Sequence, residues 1–97
     1  MLAVLSQLRR SQYGYSLRQA LAERGMPIEE GTLYPLLRRL ESQGLLDSEW
    51  HTDSGPPRRY YVLSARGVAV FGELSEAWTS LASTMNDLLD DSERKSS

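Results

Sequence analysis

The sequence predicts a mainly α, α+β fold: three short helices, a two-stranded β-hairpin and one long C-terminal helix. Three observations carry this. Leu33, Leu36, Leu37 and Leu40 form one apolar stripe at helical spacing. Two strand-like runs flank the turn Asp53-Ser54-Gly55-Pro56-Pro57. Phe71, Leu74, Trp78, Leu81, Met85 and Leu88 recur at alternating steps of three and four, the spacing of a helical seam.

The 97 residues suffice for one domain with a modest core. With no cysteine, disulfides and thiolate metal sites are excluded. No apolar run approaches the roughly 20 residues that span a bilayer. The first residues, Met1 to Leu5, lack the charged leader and cleavage site of a signal peptide, so a cytoplasmic protein is expected. Net charge is −2, but it is unevenly spread. Residues 1–66 hold nine arginines against seven carboxylates, a net of +2, and residues 67–97 carry −4. The first two-thirds is thus the candidate nucleic-acid-facing part, and the tail is acidic.

The first helix is expected over Leu2 to Leu8, with Leu2, Leu5 and Leu8 on one face. It starts almost at Met1, as if a few residues preceded it. Arg9 to Gln12 reads as a polar connection. The second helix is expected from Tyr13 to Arg24, with Ser11 as N-cap, Leu17, Ala20 and Leu21 as its stripe, and Gly25 as its stop. The third runs from Glu30 to Gln43 and ends at Gly44. Its polar face carries Thr32, Tyr34, Pro35, Arg38, Arg39 and Ser42. Pro35 is placed near its start, where a missing N–H costs least.

Leu45 to Thr52 and Arg58 to Leu63 are the two strands of the hairpin. Leu46, Ser48 and Trp50 alternate on the first, which puts Trp50 in the core. Ser64 caps the last helix, expected from Ala65 to Leu89. Phe71 and Leu74 are expected to pack on their own domain. Trp78, Leu81, Met85 and Leu88 lie further out and call for a second copy of the chain. The division is a winged helix-turn-helix over 1–64, a dimerisation helix over 65–90 and a disordered tail over 91–97.

This order of elements is that of a winged helix-turn-helix. The third helix enters the major groove and the hairpin, the wing, follows the backbone. Arg38 can reach guanine O6/N7 or a phosphate. Thr32 and Tyr34 can meet phosphates or a thymine methyl group. Arg58 and Arg59 follow a rigid Gly-Pro-Pro tip, and strand alternation turns one of them away from the core. The single histidine, His51, has no second histidine or cysteine to share a metal, and no cofactor is expected. No nucleophile–base pair or phosphate loop is visible, so the chain reads as a non-enzyme.

Two runs carry a family resemblance. Gly31-Thr32-Leu33-Tyr34-Pro35-Leu36-Leu37-Arg38-Arg39-Leu40-Glu41, followed by Gly44-Leu45-Leu46, resembles the recognition-helix signature of PadR-type regulators. Gly55-Pro56-Pro57-Arg58-Arg59-Tyr60-Tyr61-Val62-Leu63-Ser64 is similar to that family's wing, and Gly14-Tyr15 and Gly67 also fit. The resemblance covers about residues 2 to 75. It implies a DNA-binding homodimer joined through the last helix, usually a repressor on an inverted repeat. Thr32, Tyr34 and Arg38 would then lie at the major groove, Arg58 and Arg59 on the wing, and Tyr13 and Tyr15 near the backbone or bracing the third helix. The family also includes members that bind flat aromatic effectors between subunits, a role for which Trp78 is the candidate, beside the simpler one of a dimer-core side chain. Glu29 and Glu30 depart from the family pattern, and their charge is expected to tilt that end away from phosphate. The alternative is a winged helix used as a protein–protein interaction module, which has no need of paired arginines after a rigid tip.

Overall fold

A computed structural model describes residues 1–52 and 55–96, with side chains through residue 90. The first two residues of the expected wing turn, Asp53 and Ser54, lie outside the described residues, as do Ser97 and the side chains of the acidic tail. The order is α1 (Leu2–Gln7), β1 (Gln12–Tyr13), α2 (Gly14–Glu23), α3 (Glu30–Ser42), β2 (Leu46–His51), β3 (Arg58–Leu63) and α4 (Ala65–Ser96).

The leucine stripes do what their spacing predicts. Leu5, Leu8, Leu17, Leu33, Leu37 and Leu40 are fully buried in one cluster, and Val4, Leu21, Leu45, Leu46, Tyr61 and Leu63 complete it. Removing such side chains from water is the main force holding the three short helices together. Gly25 and Gly44 adopt φ of +81° and +79°, the left-handed geometry that ends α2 and α3. The Met26 N–H then bonds the Leu21 carbonyl at 2.8 Å, and the Leu45 N–H bonds that of Leu40 at 3.0 Å.

Three local expectations are corrected. The polar connection before α2 contains a short strand, β1, that pairs with β3 through Gln12–Tyr61 and Tyr13–Tyr60. The sheet is therefore three-stranded and antiparallel, in the order β1-β3-β2. The N-cap of α2 is Tyr13, with no side-chain cap bond, and not Ser11. Pro35 is the sixth residue of α3, not a first-turn residue, so the Gly31 carbonyl lacks its usual partner four residues on.

The sheet register assigns faces. Leu46–Leu63, Ser48–Tyr61 and Trp50–Arg59 are cross-strand pairs on one face. At the inner end Leu46 and Leu63 are buried under the helices, but at the outer end Trp50 is 61% exposed. The expectation of a core Trp50 is thus overturned. Alternation gave its face correctly, but the helices do not extend over the hairpin's outer end.

Ser64 caps α4, its hydroxyl accepting from the Gly67 N–H at 3.0 Å and donating to the Gly44 carbonyl at 2.6 Å. Gly67 is buried against Leu45; a Cβ there would overlap the Leu45 carbonyl oxygen. Phe71 and Leu74 pack against the domain's own core. Beyond them α4 projects, giving the molecule a long dimension of 63 Å. Trp78, Leu81, Met85, Leu88 and Leu89 are all exposed along it. Among the described residues, no helix is long and apolar enough to cross a membrane.

Candidate nucleic-acid interface

Helix α3 sits on the domain by its leucine face and turns Thr32, Pro35, Arg38 and Arg39 outward. Its own carboxylates are spoken for. Glu30 pairs with Arg18 of α2 at 2.9 Å, and Arg18 also donates to the Ile28 carbonyl at 3.2 Å. This neutralises one of the two acids expected to repel phosphate. Glu41 is held by the wing: Arg59 approaches it at 3.0 Å, and the Ser48 hydroxyl donates to it. The hydrogen bond from Ser48 holds the Glu41 carboxyl below its ordinary range, with the Arg59 contact adding to this and partial burial opposing it. Among the described residues Arg38 and Arg39 have no carboxylate partner. Arg39 lies in the last turn of α3, where the helix dipole favours a cation.

The two wing arginines differ. Arg58 is exposed, and its guanidinium lies 4.6 Å from the Tyr13 ring centre. Arg59 is half-buried between Glu41, Ser48 and the rings of Trp50 and Tyr61. Strand alternation separates them, as expected, and the inner one ties the wing to α3.

The tyrosines divide likewise. Tyr34 is half-buried over Gly14, where a Cβ would stand 2.6 Å from its hydroxyl oxygen. Only glycine at the start of α2 lets that ring in. Tyr13 packs against Tyr60 of the wing at 5.4 Å and stacks on Tyr15 at 6.3 Å. Tyr15 is exposed and accepts from Gln19 at 3.1 Å. Burial raises the Tyr61 hydroxyl above its ordinary value. His51 stacks on Tyr60 at 4.1 Å and meets Glu49 at 2.8 Å.

Sequence reasoning missed Gly14 as the seat of Tyr34, Arg18 as the partner of Glu30, and Glu41 with Ser48 as the holders of Arg59. The one signal available was Gly14 itself, a helix-breaking residue opening a helix.

A three-helix core, a hairpin pinned to the third helix, and outward-facing arginines on that helix define a winged helix-turn-helix protein. The sequence signature of the Transcriptional regulator PadR-like family matches residues 1–73. The chain belongs to this family of transcriptional regulators, whose members bind DNA and are not enzymes. It is 41% identical over 70 residues to the transcriptional regulator Rv3488 of Mycobacterium tuberculosis, covering 72% of this chain and 65% of that protein. The match thus spans just under two-thirds of the mycobacterial regulator's length. Its fold is similar to a PadR family transcriptional regulator from Eggerthella lenta, with TM-score 0.83 and 50% identity, covering 91% of this chain and 79% of that one. A PadR family transcription regulator from Clostridium difficile gives TM-score 0.84 at 31% identity, covering 91% and 95%.

Proposed function

We propose that the chain is a homodimeric repressor that binds an inverted repeat in double-stranded DNA. The observation that carries this is the charge state of α3. Both of its carboxylates, Glu30 and Glu41, are ion-paired within the domain, while Arg38 and Arg39 face outward with no carboxylate partner among the described residues. Such a helix offers positive charge and donors to a groove. Arg38 reads a base edge. Thr32, Tyr34 and Pro35 meet the backbone or a thymine methyl at the helix start, and Arg39 and Arg58 neutralise phosphates. Arg59 sets the angle of the wing, and Tyr13 and Tyr15 line the approach to the backbone.

The dimer is supported by the row Trp78, Leu81, Met85 and Leu88, exposed on a helix that leaves its own domain. An exposed apolar row of this length calls for a partner, and two-fold pairing is the common solution. It also presents two recognition helices to half-sites about one helical turn apart. An aromatic effector between subunits would meet Trp78 in that seam.

Selection from a random duplex pool tests this reading. Enrichment of an inverted repeat is the expected outcome. Absence of any enriched sequence, with binding retained by a protein partner instead, would support the interaction-module alternative.

A further inference from the structure

The end of α1, the connection that follows it and the end of α2 border a cleft of about 740 Å³. Arg9, Arg10 and Arg24 stand in its wall, and the rest of that wall is serine and glutamine, with no carboxylate. All three arginines are exposed, and among the described residues none has an ion-pair partner. None lies on α3 or the hairpin, so the DNA reading above does not use them. Arg9 donates to the Ser6 carbonyl at 2.9 Å, and its guanidinium lies 5.4 Å from the Phe71 ring centre. The cleft therefore adjoins the first residue of the α4 seam.

The opposite charge sits at the other end of that helix. Residues 87–93 hold four carboxylates and no basic side chain, and Asp87 and Asp90 among them are exposed. The seam decides where this end goes in a two-fold pair. The steps from Phe71 through Leu74, Trp78, Leu81 and Met85 to Leu88 are three, four, three, four and three, a pattern that reads the same in both directions. An antiparallel pair thus matches every seam residue: Trp78 with the partner's Leu81, Leu74 with the partner's Met85, and Phe71 with the partner's Leu88. A parallel pair would lay each four-acid stretch along its own copy, like charge against like. The antiparallel pair carries that stretch to Phe71, where Arg9 lies.

We propose that the cleft of Arg9, Arg10 and Arg24 receives the acidic end of a second copy's α4. Two such contacts, one at each end of the seam, form an electrostatic latch that sets the direction of the pair and selects the chain's own copy as partner. The latch rests on the homodimer reading above, to which it adds direction and selectivity. Contacts between exposed charges are individually weak, so the apolar seam holds the pair and the charges choose it.

Sedimentation of the full chain at low salt tests the latch. Arg9→Glu with Arg10→Glu makes the cleft acidic, and Asp87→Arg with Asp90→Arg makes the helix end basic. Each doubly substituted chain alone is expected to self-associate about tenfold or more weakly than the parent, because both contacts become repulsive. An equal mixture of the two is expected to regain dimers of parent-like affinity, because both contacts then join opposite charges. Mixing cannot repair a damaged fold, so recovery isolates charge matching. Unchanged self-association of either chain, or a mixture no tighter than its components, would overturn the latch while leaving the parent dimer in place. Unchanged dimers with weakened duplex binding in Arg9→Glu with Arg10→Glu would give the cleft to DNA phosphates and likewise overturn it. A parent chain that stays monomeric would overturn the homodimer reading, and the latch with it.

Discussion

The guanidinium of Arg59 on β3 lies 3.0 Å from the carboxylate of Glu41 near the end of α3, so the hairpin and α3 are ion-paired across 18 residues of sequence. Both side chains are only partly buried, at 39% and 29% side-chain exposure, so the pair is worth about 0.2–1 kcal/mol. Its larger effect is geometric, because it fixes where the wing stands relative to α3. A double-mutant cycle of Glu41→Gln with Arg59→Ala is expected to show coupling of this size. It is also expected to lower DNA affinity more than Arg59→Ala lowers stability.

The same contact sets an acid limit. The folded Glu41 carboxyl lies below its ordinary value of 4.5, through the Ser48 hydrogen bond first. A depressed folded value means the native state binds the proton less readily than the unfolded chain. The contribution is therefore complete above the ordinary value and is lost as pH falls through the folded one. Chemical denaturation at pH 7 and pH 3 checks this. Glu41→Gln is expected to lose less stability than the parent between the two.

Gly14 and Gly72 predict opposite responses to alanine. At Gly14 a Cβ meets the Tyr34 ring, with its Cζ at 2.8 Å, so Gly14→Ala is expected to cost about 1–3 kcal/mol. Replacing Tyr34 by alanine in the same chain is expected to recover part of it. Gly72, on exposed α4, has nothing within 4 Å of that position, and Gly72→Ala is expected to stabilise by about 1 kcal/mol. At Gly67 the obstacle is the Leu45 backbone, which cannot swing aside as a ring can. Gly67→Ala is expected to be the most damaging of the three in thermal melts.

The three short helices were legible because each buries one leucine stripe, and a stripe is written in the spacing. The hairpin was legible from its turn residues. β1 was not, because Gln12 and Tyr13 carry no alternation and become a strand only by pairing with Tyr60 and Tyr61. Trp50 shows the limit of the strand pattern: period two names the face, and whether a helix covers that face depends on lengths elsewhere. Arg58 and Arg59 were identified as wing residues. Which of them is free depended on Glu41 and Ser48, distant in sequence and brought together by the fold.

The exposed row on α4 gives a prediction independent of DNA. The parent chain is expected to sediment at twice the chain mass at micromolar concentration, and Leu81→Glu with Met85→Glu at the single mass. Both residues are exposed in the isolated chain, so the monomer is expected to keep its fold, with helical circular dichroism retained. A parent chain that sediments as a monomer would remove the two-fold arrangement from the proposal.

The measurement that bears most directly on the central claim is the salt dependence of duplex binding by the parent, Arg38→Ala and Arg58→Ala chains. Affinity is expected to fall steeply as salt rises, because neutralised phosphates release counterions. Arg58→Ala is expected to weaken all duplexes alike and reduce the salt slope by about 1. Arg38→Ala is expected to cost about 1–3 kcal/mol and relax preference at one base position. No duplex binding at low salt, or binding whose affinity and slope ignore both arginines, would contradict the assignment of α3 and the wing as the DNA-reading surface.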